Sequence, residues 1–135
     1  MISLPNESCL MLKSRLLFDG GYFAKSLNAL GGHDAADYKA VKDKSEFYYR
    51  AGRIYDALEK YDSALVNYQN AINTGRNLKY YYAATSALNM GKIYLKRNNK
   101  ARAKAFFNQA IDMKDHEYEN SIETQAKSGL KNTGN

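Results

Sequence analysis

The chain has 135 residues, of which 44% are apolar, and it carries a formal net charge of +6 with one proline and one cysteine. This composition suits one domain with a buried core, and the lone Cys9 excludes an internal disulfide and a multi-cysteine metal site. The sequence shows neither a run of about 18 apolar residues nor a signal-peptide pattern. We therefore expect a cytoplasmic location, unless the chain is a piece of a longer protein.

Apolar residues at three- and four-residue steps predict helices along most of the chain. Gly20–Gly21, Tyr61–Asp62 and Asn98–Asn99 are expected to form turns, and Gly75 is expected to end its helix as a left-handed cap. Residues 32–43 are polar and irregular, with a turn near residues 37–41. In chain order, the predicted helices cover approximately residues 7–19, 22–30, 44–58, 64–75, 79–97, 101–113 and 118–130.

Two stretches of the chain repeat one pattern of small and aromatic residues at a spacing of 39. A fixed period that combines helical spacing with small residues at fixed points indicates an array of helical hairpins. The first copy carries Gly52, Tyr55, Tyr61, Ala64, Tyr68 and Ala71, and the second carries Gly91, Tyr94, Lys100, Ala103, Phe107 and Ala110.

Packing explains the repeated positions. A mid-helix glycine costs about 1 kcal/mol relative to alanine, so it is expected where a neighbouring helix comes close. We expect Gly52 to meet Ala64 and Gly91 to meet Ala103 at the hairpin crossings, with the aromatic residues filling wider gaps farther along.

Together with Tyr48, this pattern resembles the tetratricopeptide repeat family. The resemblance implies an all-α fold, a right-handed α-α superhelix of antiparallel hairpins. The period is longer than the usual one of about 34 residues, and Lys100 stands where an aromatic residue is expected. A degenerate first copy precedes the other two in the same frame, at Ser14, Leu17, Phe23, Ser26 and Leu30.

The whole chain is then one domain of this kind. The predicted repeats cover about 7–33, 44–76 and 79–114, and a capping helix covers about 116–131. The final helix has apolar residues on one face only, as expected of a helix without a further neighbour.

The resemblance also implies a non-catalytic module that binds a peptide or protein along its concave face. The residue after each key small position is basic, which predicts a column of Arg15, Arg53 and Lys92 on that face. Solvated surface is the alternative reading of these three residues. Tyr49 stands where the carboxylate clamp of chaperone-binding members has a lysine, so that clamp is not reproduced. The other candidates on the concave face are Tyr49, Asp56, Asn89 and Lys96.

The charge distribution favours an acidic partner. Residues 63–111 contain no Asp or Glu and carry a charge of +8. RNA binding through the basic third repeat is the alternative, with Tyr80–Tyr82 as a stacking platform for bases. More favoured is that two of these tyrosines pack between repeats and one is exposed. The acidic C-terminal helix could also neutralise part of the basic stretch.

No pattern in the sequence indicates an enzyme, a cofactor or a metal site. His33 and His116 have no partners at ligand spacing, and the glycine pairs lack the Lys-Ser/Thr of a phosphate loop. A further alternative is a structural role at the end of a longer array or in a homo-oligomer.

Overall fold

In a computed structural model, residues 7–31 and 34–134 are described, except for the side chains of residues 7–9. All regular structure in these ranges is helical, which confirms the predicted all-α class. A short 3₁₀ helix at Ala35–Asp37 lies in the stretch predicted to be irregular. The α-helices are α1 (Glu7–Asp19), α2 (Phe23–Leu30), α3 (Val41–Ala57), α4 (Tyr61–Gly75), α5 (Tyr82–Lys96), α6 (Lys100–Asp112) and α7 (Glu119–Lys131).

Consecutive helices pack as hairpins, α1 with α2, α3 with α4, and α5 with α6. The hairpins stack side by side, because α4 also packs on α5 and α6 packs on α7. Two groups of buried side chains result. The larger group has side chains from every helix from α3 through α7, and the smaller group lies between the first hairpin and α3.

Each hairpin turn has the same backbone structure. A residue with positive φ follows the first helix, and the next N–H donates to a carbonyl in the last turn of that helix, as in a Schellman motif. This bond recurs at equivalent positions of the repeat, so the first hairpin follows the same frame as the other two. The three bonds are Tyr22 N to Leu17 O after Gly21, Lys60 N to Tyr55 O after Glu59, and Asn99 N to Tyr94 O after Asn98.

The two glycines of the repeat face aromatic rings across the hairpin. A Cβ added to Gly52 would lie 2.6 Å from the ring of Tyr68, and one added to Gly91 would lie 2.6 Å from the ring of Phe107. The atoms nearest to the missing side chains therefore belong to the rings and not to Ala64 or Ala103. Both alanines are fully buried, but it is the ring that fills the space of the missing side chain.

Gly129 in α7 makes the same contact from the other side. An added Cβ there would meet the ring of Phe107, so this ring lies between Gly91 and Gly129. The interval from Gly91 to Gly129 equals that from Ser14 to Gly52. The last helix thus continues the repeat frame.

In the first hairpin, two hydrogen-bonded serine residues join α1 and α2 where the later hairpins have a contact between a glycine and an aromatic ring. Ser14 Oγ donates to the carbonyl of Ser26 at 3.0 Å, and Ser26 Oγ donates to the carbonyl of Ser14 at 2.7 Å. Both residues are buried. The pair satisfies its hydrogen bonds within the hairpin, so it is accommodated without an aromatic ring.

Gly75 does not form the predicted left-handed cap. It is the last residue of α4, as predicted, but the following Arg76 has a right-handed backbone with φ −61° and ψ −26°. A Cβ at Gly75 would overlap the Ser45 hydroxyl, which itself donates to the carbonyl of Ala71 at 3.0 Å. Gly75 is needed for the close approach of α3 and α4.

We expect Gly52→Ala and Gly91→Ala to destabilise the fold, each by about 1–3 kcal/mol, because the new methyl overlaps a buried ring. This loss exceeds the gain in helix propensity of about 1 kcal/mol. Urea unfolding followed by circular dichroism measures the effect.

The matched test is a double-mutant cycle with Phe107→Leu, which removes the ring that Gly91 contacts. The cost of Gly91→Ala should fall in that background. An alanine variant at Gly91 as stable as the parent would contradict the assigned contact.

Candidate binding groove

A groove of about 360 Å³ opens between α1, α3, the start of α4 and the end of α5. Its lining combines aromatic rings with charges of both signs. Three residues predicted for the concave face line it, namely Arg53, Asp56 and Lys96. We call this volume the central groove.

A chain of hydrogen bonds crosses the floor of the central groove. The hydroxyl of Tyr68 donates to Asp56 Oδ2 at 3.0 Å, and Asn89 Nδ2 donates to the same hydroxyl at 3.3 Å. Burial raises the pKa of Tyr68, and the neighbouring Asp56 carboxylate raises it further. The hydroxyl therefore stays protonated, and it fixes one oxygen of Asp56 while the carboxylate remains half-buried.

Three cations act on Asp56. Burial raises the pKa of the Asp56 carboxyl, while the hydrogen bond from Tyr68 and the charges of Lys96, Lys92 and Arg53 lower it. Burial has the largest effect, so the pKa lies above its usual value of 3.8. Desolvation also lowers the pKa of Lys92, with Asp56 opposing that effect.

Aromatic rings hold the basic side chains in place. The guanidinium of Arg53 lies 4.3 Å from the ring centroid of Phe18 and 5.7 Å from that of Tyr49. Lys96 Nζ lies 5.5 Å from the ring of Tyr61. Such cation–π contacts orient the charges toward the groove at about 0.5–1 kcal/mol each.

Lys92 connects the groove to the last helix. Its Nζ donates to Gln125 Oε1 of α7 at 3.2 Å. Arg15 lies at the other end, where it is exposed and lines a crevice of about 10 Å³ together with Arg53. Arg15, Arg53 and Lys92 lie on α1, α3 and α5, and their role as one basic column of a binding face stays a prediction.

Tyr49 departs from the expectation of a binding surface. Only 4% of the residue is exposed, and its ring packs edge-on against Tyr81 at a centroid distance of 5.5 Å. A phenol so buried has little surface to offer a partner. Its position beneath Arg53 makes it a support for that guanidinium.

Arg50 is buried, although the sequence marks it as one basic residue among many. Its Nε lies 3.3 Å from Glu46 Oε2, and its Nη2 donates to the hydroxyl of Tyr81 at 3.2 Å. Only the Glu at position i−4 could have suggested a paired arginine. Arg50 lines the same small crevice as Arg15 and Arg53.

Ion pairs near the third hairpin show how α7 relates to the basic stretch. Arg97 of the stretch pairs with Asp62 at 2.8 Å. In α7, Glu123 contacts Lys114 at 3.5 Å and Lys127 at 3.0 Å, both outside residues 63–111. Glu123 therefore does not neutralise the basic stretch.

The three consecutive tyrosines have the favoured arrangement, with two rings packed and one exposed. Tyr82 is buried and Tyr81 half-buried, whereas Tyr80 is exposed and stacks on Tyr82 with centroids 6.0 Å apart. Lys42 Nζ lies 5.1 Å above the ring of Tyr80. Two of the rings pack between hairpins, and one faces solvent.

Within residues 7–31 and 34–134, no group of three or more His, Cys, Asp or Glu could hold a metal ion. The ring nitrogens of His116 lie 2.7 Å from the carbonyl of Glu117 and 3.0 Å from that of Met113. His33 lies outside the described residues. Across the same ranges, no helix has the length and apolar character required to cross a bilayer.

A family model described as "Tetratricopeptide repeat" matches residues 43–116. The matched segment contains both copies of the glycine–aromatic pattern and nearly all of α3 to α6. Neither the curated proteins nor the solved structures gave a match.

We expect Asp56→Asn to raise the melting temperature at neutral pH. The pKa of Asp56 is higher in the folded chain, so deprotonation destabilises the fold as pH rises from the usual value through the raised one. The amide removes that cost and still accepts the Tyr68 hydroxyl. The advantage should vanish below pH 3.8, where the carboxyl is protonated in both states.

Thermal unfolding across the acidic to neutral range measures this difference. Asp62→Asn is the control with opposite sign, because it removes the ion pair to Arg97 and an acidic residue in the first turn of α4. An Asp56→Asn variant less stable than the parent at neutral pH would contradict the assigned burial cost.

Proposed function

The chain belongs to the tetratricopeptide repeat family, and from this premise we propose that it binds an acidic segment of a partner protein in the central groove. Repeats of this family serve as protein-interaction scaffolds and are typically non-catalytic. The acidic partner and the groove as its binding site are our proposal.

The observation that carries the proposal is the set of three cations around one half-buried carboxylate. Arg53, Lys92 and Lys96 all act on Asp56. This local excess of positive charge favours carboxylates of a bound segment. The acid-free stretch from residue 63 to 111 extends the positive field along α5 and α6.

Asp56 and Asn89 supply the polar contacts that a peptide backbone needs. One oxygen of Asp56 accepts from Tyr68, and the other can accept a backbone N–H of the segment. Asn89 donates one amide N–H to Tyr68. Its side-chain carbonyl can accept a backbone N–H of the segment. The groove therefore suits an extended peptide whose acidic side chains point toward α5.

Each exposed ionic contact contributes little, about 0.2–1 kcal/mol. Binding thus depends on several contacts acting together, and it should weaken as salt concentration rises. Arg53 also packs on Phe18, so its replacement would change stability as well as binding. Lys92 and Lys96 are exposed and better suited to a test.

Nucleic-acid binding is the second candidate. Arg102 lies 5.5 Å from the ring of Tyr94, and Tyr80 is exposed beside Lys42. Basic groups beside exposed rings suit single-stranded nucleic acid. Arg102 lies on α6 and Tyr80 just before α5, and neither residue lines the central groove, so both can be changed separately from it.

We expect the double reversal of Lys92 and Lys96 to Glu to abolish binding of an acidic peptide, because two attractive contacts become repulsive. The melting temperature should fall somewhat, because both lysines stabilise the Asp56 carboxylate, and circular dichroism at the assay temperature should show the variant folded. Fluorescence anisotropy of a labelled Asp/Glu-rich peptide measures the binding.

The matched control is the reversal of Lys100 and Lys104 to Glu, which makes the same change in net charge on α6. It should leave peptide binding nearly intact. Labelled single-stranded RNA, titrated at several salt concentrations, provides the second probe. The second candidate would be favoured over the first if the Lys100 and Lys104 reversal lost RNA binding while the Lys92 and Lys96 reversal kept it.

A further inference from the structure

We propose that the chain forms a symmetric dimer through an apolar patch on the outer side of its first hairpin. The patch consists of Leu12, Leu16, Leu17 and Tyr22, and together with Lys13 it lines a shallow pocket of about 390 Å³. Leu12 is 48% exposed, Leu16 59% and Tyr22 57%. We call the four apolar and aromatic residues the α1 patch.

The repeat frame shows what kind of surface the α1 patch is. Leu16 occupies the same position in its repeat as Ile54 and Ile93 in theirs. Those two isoleucines are 1% exposed. The first hairpin packs beside α3, and the second packs beside α5. The α1 patch therefore has the position and side chains of a surface that receives another helical hairpin.

The surface of α7, the last described helix, does not match the α1 patch. The outward side of α7 is polar, so head-to-tail stacking of copies would bury an apolar patch against polar side chains. The α1 patch pairs better with itself, which gives a closed two-fold dimer and no open filament. The exposed residues of α7 are Asn120, Ser121, Thr124, Gln125, Lys127, Ser128 and Lys131.

Charges beside the α1 patch favour an antiparallel pairing of two copies. Arg15 and Asp19 lie one helical turn apart on the same flank of α1, and both are exposed. When two α1 helices pair antiparallel, Arg15 of one copy lies opposite Asp19 of the other, and the two-fold axis makes this contact twice. A parallel pairing would place like charges together.

The direct test is Leu16→Glu in the 135-residue chain. We expect the parent to dimerise with rising concentration in sedimentation equilibrium, and the variant to raise the dimer dissociation constant at least about tenfold. Val66→Glu is the matched control, because Val66 is 60% exposed on α4, away from the patch. It should dimerise like the parent, and circular dichroism should show both variants folded.

A charge exchange tests the antiparallel geometry. Arg15→Asp and Asp19→Arg should each weaken the dimer, and the double variant should restore it, because the pair is then reversed on both copies. A parent that stays monomeric at every concentration overturns the proposal. So does a Leu16→Glu variant that dimerises like Val66→Glu, or a double exchange that remains as weak as the single changes.

Discussion

The contact between a glycine and an aromatic ring is the constraint on which the rest of the structure depends. Because Gly52 has no side chain, the ring of Tyr68 can lie directly against the backbone of α3. This contact also carries the ring's hydroxyl to the edge of the packing, where it reaches Asp56 and Asn89. Phe107 makes the same packing contact with Gly91 but lacks the hydroxyl. The polar chain therefore exists at one hairpin, and the central groove is polar there.

The repeat frame could be predicted because it depends on residues within one helix or across one short turn. The bounds of α1 agree with the sequence prediction, and the turns at Gly21 and Asn98 lie where turn residues stand, whereas Tyr61–Asp62, predicted as a turn, is the start of α4. Asp56 and Lys96 line the central groove together, although Asp56 stands four residues after Gly52 and Lys96 five residues after Gly91. Whether they bind a partner is a question for the proposed experiments.

What the sequence could not predict depends on which side chain of another helix meets a given position. Gly75 ends α4 as predicted, but it is required there by the close approach of Ser45 from the preceding helix and not by a left-handed backbone. Tyr49 was predicted for the concave face, but Tyr81 and Tyr82 of the next hairpin cover it. Periodicity fixes the face of a helix, but the partner on that face follows from how the hairpins stack.

The position of Phe107 between Gly91 and Gly129 has a consequence for cooperativity. One ring contacts helices of two successive units, so α7 cannot detach without exposing a ring on which α5 also packs. The Ser14–Ser26 pair of the first hairpin is closed within that hairpin and links it to no neighbour. In a linear array, unfolding spreads across the weakest interface between units. Local opening should therefore begin at the first hairpin, and amide hydrogen exchange should be fastest there, while α5 to α7 open as one unit.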